Sequence, residues 1–160
     1  RIKEIKPSDE DLNRIKRVYK QFREELVGKL KAKKVKADVF LGGSLAKGSL
    51  VRKDLYDVDV FVRFDKSYGD EKISDLLGKI LGRGFNKVHG SRDYYQSERE
   101  GILIEVIPTL RIKKPEEAEN VTDLSYLHVK YLVGKLDDNK GLGNDILLQR
   151  VVATTFLLLC

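Results

Sequence analysis

The chain has 160 residues, of which 41% are hydrophobic and 35% are charged. This composition excludes a disordered chain and suits one domain, or one domain and the start of a second. No apolar run reaches the roughly 20 residues that a transmembrane helix needs, so we expect no membrane partner. The one cysteine, Cys160, cannot form an internal disulfide, which favours the reducing cytoplasm. Because the chain starts at Arg1 and contains no methionine, we expect it to be part of a longer protein.

The net charge of +6 is concentrated near the N-terminus. Residues 1–36 hold 13 Lys and Arg against 6 Asp and Glu, whereas the remaining 124 residues carry 18 against 19. A basic segment of this kind indicates either a polyanionic partner, such as RNA or nucleotide phosphate, or a solvated helix face. Charge alone favours the solvated face, and both interpretations stay open.

Helical and strand-like patterns alternate irregularly along the chain. Ser8 is a good N-cap for a helix whose apolar residues recur at helical spacing from Leu12 to Leu30. In chain order we first predict a helix over residues 8–33, then strands over 37–41 and 57–64, with a short helix after Ser44 between them. A helix over 72–81 follows, then weaker strands over 85–88 and 94–97. The last predicted elements are a strand over 101–107, closed by Pro108, and helices over 124–136 and 145–160. This order lacks a strict βαβ rhythm and therefore favours an α/β domain with a mixed sheet flanked by helices.

The best internal boundary is the stretch Gly141-Leu142-Gly143, which is followed by Asn144 as a candidate cap of the last helix. We therefore predict one domain over residues 1–140. Residues 141–160 are predicted to begin a following helical region.

The stretch Gly42-Gly43-Ser44 stands where the first predicted strand turns into a helix. Glycine lets the backbone approach a phosphate closely, and the exposed N–H groups and the hydroxyl favour negative charge. An ordinary strand-to-helix turn is the alternative that this stretch alone leaves open. A Walker A loop is excluded because no Gly-Lys-Ser/Thr follows.

Three acidic residues lie within strand-like segments. Asp57 and Asp59 stand at positions i and i+2, so their side chains point to the same face, where two carboxylates repel each other. Glu105 stands among five apolar residues and must be paired, neutral, metal-bound or directed into a cleft. Because hard carboxylate oxygens suit Mg²⁺, the three acids predict a two-metal catalytic site. Two solvated aspartates on an edge strand are the alternative for Asp57 and Asp59.

The combination of Gly43-Ser44, Asp57-x-Asp59 and Glu105 resembles the nucleotidyltransferase superfamily related to DNA polymerase β. Residues 43–61, 94–108 and 121–128 resemble more closely the class I, archaeal-type CCA-adding enzymes, which are tRNA nucleotidyltransferases. With the charged start, the resemblance covers most of residues 5–150.

The resemblance implies a polymerase β-like palm that transfers NMP from CTP or ATP to an RNA 3′-hydroxyl, the tRNA 3′ end, with Mg²⁺ as cofactor. The three acids would bind metal and activate the terminal hydroxyl. Gly43 and Ser44 would contact the triphosphate. Lys47 follows the turn, and its charge indicates either contact with triphosphate or RNA, or a solvated side chain. His128 would lie near the phosphates or sugar of the incoming nucleotide, although a packed core histidine is equally compatible with its sequence context. Arg150 falls where the family usually has Lys.

The sequence also departs from the family pattern. Tyr126 stands where Pro is usual, Arg92 falls where His often precedes the aromatic residue, and the region that grips the tRNA acceptor arm is missing. Two alternatives therefore stay open. One is a nucleotidyltransferase with another acceptor, such as a second nucleotide or a protein, and the other is a non-catalytic RNA- or nucleotide-binding module.

Overall fold

A computed structural model describes residues 6–138 and is built on a five-stranded sheet in the spatial order β1-β2-β5-β4-β3. In chain order the elements are α1 Asp9–Ala32, β1 Ala37–Leu41, α2 Gly43–Ala46, β2 Tyr56–Phe64, α3 Asp70–Leu81, β3 Asn86–Val88, β4 Tyr94–Arg99, β5 Ile102–Leu110 and α4 Ser125–Asp138, with short 3₁₀ turns at Lys66–Tyr68, Pro115–Glu117 and Val121–Leu124. Strands β2 and β5 run parallel, and the other neighbouring pairs are antiparallel. The predicted mixed sheet flanked by helices is confirmed.

Helices α1 and α3 cover one face of the sheet, which we call the core face. Their buried apolar residues join those of the central strands in one hydrophobic cluster. Along β2 the residues Val58, Val60 and Val62 are at most 1% exposed. Because side chains alternate along a strand, Asp57 and Asp59 lie on the opposite face, which we call the site face.

The site face carries α2 and the first turns of α4. Phe61 of β2 stacks on Phe40 of β1 at 5.0 Å between ring centroids, and Tyr126 of α4 meets Phe40 edge-on at 5.1 Å. The guanidinium of Arg63 lies 3.7 Å from the centre of the Tyr126 ring. These contacts place α4 over β1 and β2, and Tyr126 packs the helix onto the sheet.

Most element boundaries agree with the predicted ones within a few residues. The N-cap at Ser8 is confirmed, since its hydroxyl accepts a 3.0 Å hydrogen bond from the backbone N–H of Asp11. The prediction that Pro108 closes the last strand is wrong, because β5 continues to Leu110. Pro108 pairs with Val62 of β2, but on its other side the pairing with β4 has already ended near Val106. At this place the missing N–H of proline leaves no ladder bond unmade.

The predicted helix over residues 145–160, its cap Asn144, the boundary at residues 141–143 and Arg150 lie outside the described residues, so these remain predictions. None of the helices within residues 6–138 is both long and apolar enough to cross a membrane.

Candidate active site

Asp59 and Glu105 lie side by side at the centre of the site face. They are direct neighbours in the parallel register of β2 and β5, close enough for Glu105 to raise the pKa of Asp59. Each residue is half-buried, although its neighbours along the strand are among the most buried residues of the chain. Two of the three acids that the sequence predicts to share a site are thus brought together.

Electrostatics at this pair make the Asp59 carboxyl group hold its proton more tightly than usual. Burial, the hydrogen bond shared with Glu105 and the charge of Glu105 together raise the pKa of Asp59 from its ordinary 3.8 to about 6. The charges of Lys53 and Lys47 oppose this rise only in part. A pair of hard carboxylates that repel when both are ionised has the chemistry of a divalent-cation site, because a bound cation can take the place of the proton.

Asp57 lies on the same face, two residues before Asp59, and forms an ion pair with Lys53. Within residues 6–138 no three His, Cys, Asp or Glu side chains are grouped closely enough to hold a metal ion together. The pair Asp59–Glu105 therefore fits a cation by its donor chemistry, whereas a ligand role for Asp57 requires its carboxylate to leave Lys53. That role remains a prediction.

The turn from β1 into α2 lies directly against Asp59. The backbone N–H of Gly42 donates to the carbonyl of Asp59 at 2.9 Å, which ties the turn to β2. Gly43 has a φ of +59°, and a Cβ placed on it would fall 1.7 Å from Oδ2 of Asp59. Glycine is required here for both its left-handed backbone and its lack of a side chain. The turn therefore lies in direct contact with Asp59, and a side chain at position 43 would collide with that carboxylate.

The other predicted nucleotide-binding residues lie at different distances from the pair. Ser44 is in the first turn of α2 and only 6% exposed, and Lys47 ends α2 close enough to influence the pKa of Asp59. His128 is exposed on α4, so the alternative of a packed core histidine is wrong. The binding roles of Ser44, Lys47 and His128 remain predictions.

A pocket of about 230 Å³ opens beside Glu105 on the site face. Its lining includes the apolar side chains of Phe61 and Ile107, the ring of Tyr94 and the hydroxyl-bearing Ser125. Tyr95, the neighbour of Tyr94, points to the core face and donates its hydroxyl to the carbonyl of Ser74 at 3.0 Å. Of the two tyrosines, therefore, only Tyr94 has access to the site.

Part of the wall of this pocket is a buried ionic network centred on Arg92, whose side chain is 3% exposed. Arg92 donates to Asp123 at 2.5 Å, to the carbonyl of Pro108 at 3.2 Å and to Asp70. Burial would raise the pKa of Asp123, but hydrogen bonds from Arg92 and from the backbone of Leu110 outweigh it and hold the pKa below its usual value. The network fastens the segment before α4 to β5.

Sequence reasoning missed the groups that surround the acids. Gln96 of β4 donates from Nε2 to Oε1 of Glu105 at 2.5 Å, and Lys53 holds Asp57. The position of Gln96 could have been found from the turn at Glu100-Gly101. Both residues have positive φ, as a two-residue hairpin turn of type I′ requires, and that turn sets Gln96 opposite Glu105.

Comparison with known proteins identifies the family of this chain. The profile of the family described as "Nucleotidyltransferase domain" matches residues 20–123. The CCA-adding enzyme of Nanoarchaeum equitans is 43% identical over 111 residues, which are 68% of this chain and 27% of that enzyme. The CCA-adding enzyme of Saccharolobus solfataricus is 29% identical over 154 residues, or 93% of this chain and 35% of that enzyme. The chain thus spans about a third or less of the length of these curated relatives.

Solved structures share the fold at low sequence identity. CdnC of E. coli, in its complex with HORMA-deltaN, has a TM-score of 0.66 and 17% identity over 89% of this chain and 50% of that chain. Cid1, an RNA terminal uridylyl transferase, has a TM-score of 0.65 and 16% identity over 93% of this chain and 42% of that chain. The polymerase β-like fold and the resemblance to CCA-adding enzymes are both confirmed. By its family match, its relatives and its fold, this chain belongs to the nucleotidyltransferase domain family.

Proposed function

We propose that the chain is the catalytic part of a CCA-adding tRNA nucleotidyltransferase, which transfers NMP from CTP or ATP to an RNA 3′-hydroxyl and depends on Mg²⁺. The observation that carries the proposal is the Asp59–Glu105 pair, which lies against the glycine turn at Gly43. The similarity to CCA-adding enzymes supports the choice of substrates. The cytoplasmic location favoured by the single cysteine belongs to the same proposal.

The carboxylates of Asp59 and Glu105 would hold the cation, with Asp57 joining them once its carboxylate leaves Lys53. When bound, Mg²⁺ would supply positive charge that lowers the pKa of the attacking hydroxyl and stabilises the departing pyrophosphate. Asp59 and Glu105 would also orient the RNA 3′-hydroxyl toward the α-phosphorus. The oxygen of that hydroxyl forms the new bond to phosphorus as the bond to the pyrophosphate oxygen breaks, and the hydroxyl proton passes to solvent.

The remaining residues would bind and orient the nucleotide. Ser44 and the backbone at Gly43 would contact the triphosphate, and Lys47 and Lys53 would add positive charge beside it. His128, exposed on α4, and Arg150 would contact the incoming nucleotide. With reactants held in place, catalysis rests on positioning and charge stabilisation.

The test of this proposal asks which acceptor receives the nucleotide. The chain is incubated with Mg²⁺ and α-labelled CTP or ATP, and with either tRNA lacking its 3′ CCA, an unrelated RNA hairpin or no RNA. We expect label on the shortened tRNA. Label in a dinucleotide product, or attached to the protein, would instead show transfer to another acceptor and contradict the proposal. No transfer by a chain that still binds nucleotide would support the non-catalytic module and contradict the proposal.

A further inference from the structure

Gln96 lies beside Glu105 on the site face, on the side away from Asp59. It faces Glu105 across β4 and β5, and Asp59 faces Glu105 across β2 and β5, so the three side chains form a row across three strands. The amide Nε2 of Gln96 donates to Oε1 of Glu105 at 2.5 Å. We propose that Gln96 is a positioning residue that orients the Glu105 carboxylate toward a divalent cation, an inference that rests on the proposed function.

Glu105 needs such a tether because glutamate has one more rotatable bond than aspartate, and its carboxylate can adopt more positions. Gln96 holds it from the β4 side through the 2.5 Å bond to Oε1. That bond leaves acceptor positions free on both carboxylate oxygens.

A neutral amide suits this place. A carboxylate at position 96 would add a third negative charge and offer no hydrogen to Glu105, while an ammonium group would neutralise Glu105 and compete with the cation. An amide donates one hydrogen bond and leaves the charge of Glu105 available. Carboxylates that bind metal are commonly held by such outer hydrogen bonds.

The backbone fixes Gln96 in this position. The Glu100-Gly101 turn sets the register of β4 on β5, and a slip by one residue would move Gln96 to the core face. Tyr95 secures the same strand from the core side through its bond to the carbonyl of Ser74. The strand register and the Tyr95 bond together keep the Gln96 side chain on the site face.

The test measures direct binding of Mn²⁺ alone, by electron paramagnetic resonance, to the chain and to four variants. Gln96→Met keeps the length of the side chain and loses the donor, and we expect Mn²⁺ affinity to fall about 10- to 100-fold. Gln96→Asn keeps the amide but shortens its reach, and a similar loss is expected even if the Met variant folds poorly. Asn86→Leu removes an exposed amide opposite Gln96 on β3 and is the matched control, expected to bind like the parent. Asp59→Asn removes a proposed ligand and should lose most of the affinity.

A second readout separates positioning from a general structural effect. In nucleotide transfer, Gln96→Met should raise the Mn²⁺ concentration that gives half-maximal rate, while KM for the nucleotide at saturating Mn²⁺ stays unchanged. If Gln96→Met and Gln96→Asn bind Mn²⁺ like the parent while Asp59→Asn does not, this inference is overturned and the proposed function stands. If the parent binds Mn²⁺ no better than Asp59→Asn, the proposed metal site itself fails.

Discussion

At the residue scale, Asp59 lowers the stability of the metal-free chain as pH rises. Burial and the neighbouring Glu105 raise the pKa of Asp59 from its ordinary 3.8 to about 6, so the folded chain binds more protons than the unfolded chain between these values. Stability therefore falls as pH rises through this interval and stays reduced above it. This change of stability with pH is opposite to the change caused by a carboxylate that a cationic partner holds ionised, such as Asp123 beside Arg92.

Asp59→Asn mimics the protonated acid and should remove this pH dependence. Without metal, we expect the variant to be more stable than the parent at pH 8, by on the order of 2 kcal/mol, with the difference vanishing near pH 4. Thermal unfolding at several pH values measures it. Asp38→Asn is the control, because Asp38 also lies in the sheet but pairs with Arg63 and Arg111 and should show no such gain. Equal stability of the parent and Asp59→Asn at pH 8 would contradict the assignment.

Alanine substitution at Gly43 provides a second test, and the same substitution at Gly48 is its control. Both glycines have positive φ, but a Cβ on Gly43 would collide with Asp59, whereas a Cβ on Gly48 would meet open space. Each alanine substitution should cost about 1–2 kcal/mol for the left-handed backbone. Only Gly43→Ala should also abolish Mn²⁺ binding and nucleotide transfer. Retained metal binding in folded Gly43→Ala would argue against contact between this turn and the metal site.

At the element scale, the hydrophobic and glycine patterns predicted most of the fold. The alternation along β2 placed Asp57 and Asp59 on one face because a strand has a strict period of two. The prediction at Pro108 was wrong because a proline ends a strand only where the neighbouring strand needs an N–H at that position. Whether it does depends on where β4 ends. Such pairing is not local in sequence, which is also why the ionic network of Arg92 could not be foreseen.

The Arg92 network should contribute most of the free energy that holds the segment before α4 against β5. Arg92→Met would leave Asp123, whose side chain is fully buried, without its cation, and we expect a loss of about 3–5 kcal/mol. Arg17→Met is the control, because the pair of Arg17 with Glu100 is about half exposed and should contribute less than about 1 kcal/mol. Urea unfolding of both variants measures the difference. Comparable losses would show that the network does not carry this role.

At the scale of the whole molecule, the basic helix and the acidic site lie on opposite sides of the sheet. Helix α1 packs its apolar residues on the core face and exposes basic residues such as Lys16, Lys20 and Arg23. RNA bound to this helix would not place its 3′ end at Asp59 unless it wrapped around the domain. Charge composition alone could not give this arrangement, because it depends on which face of the sheet each element covers.

We therefore expect RNA to bind this chain weakly, with little selectivity and a steep dependence on salt. Binding of tRNA and of an unrelated duplex RNA should be similar at each salt concentration, since phosphate contacts carry no sequence information. Replacing Lys16, Lys20 and Arg23 by alanine should reduce the slope of log affinity against log salt by about 0.9 for each duplex phosphate that is no longer neutralised. Fluorescence anisotropy at several salt concentrations measures both effects. Tight, salt-insensitive and tRNA-selective binding would show that an acceptor-recognition surface is already present.

If the Asp59–Glu105 pair forms the catalytic centre for nucleotidyl transfer, loss of one carboxylate should stop the reaction in a folded chain. Transfer of α-labelled CTP to a high concentration of tRNA lacking its 3′ CCA is followed with Mg²⁺ for the parent, Asp59→Asn and Asp38→Asn. For the parent and Asp38→Asn we expect one pyrophosphate released for each nucleotide added to the RNA, at similar rates. For folded Asp59→Asn we expect transfer at least about a hundredfold slower, which is the size of effect that preorganised charge has in catalysis. Transfer by folded Asp59→Asn at the parental rate would contradict this role of the pair.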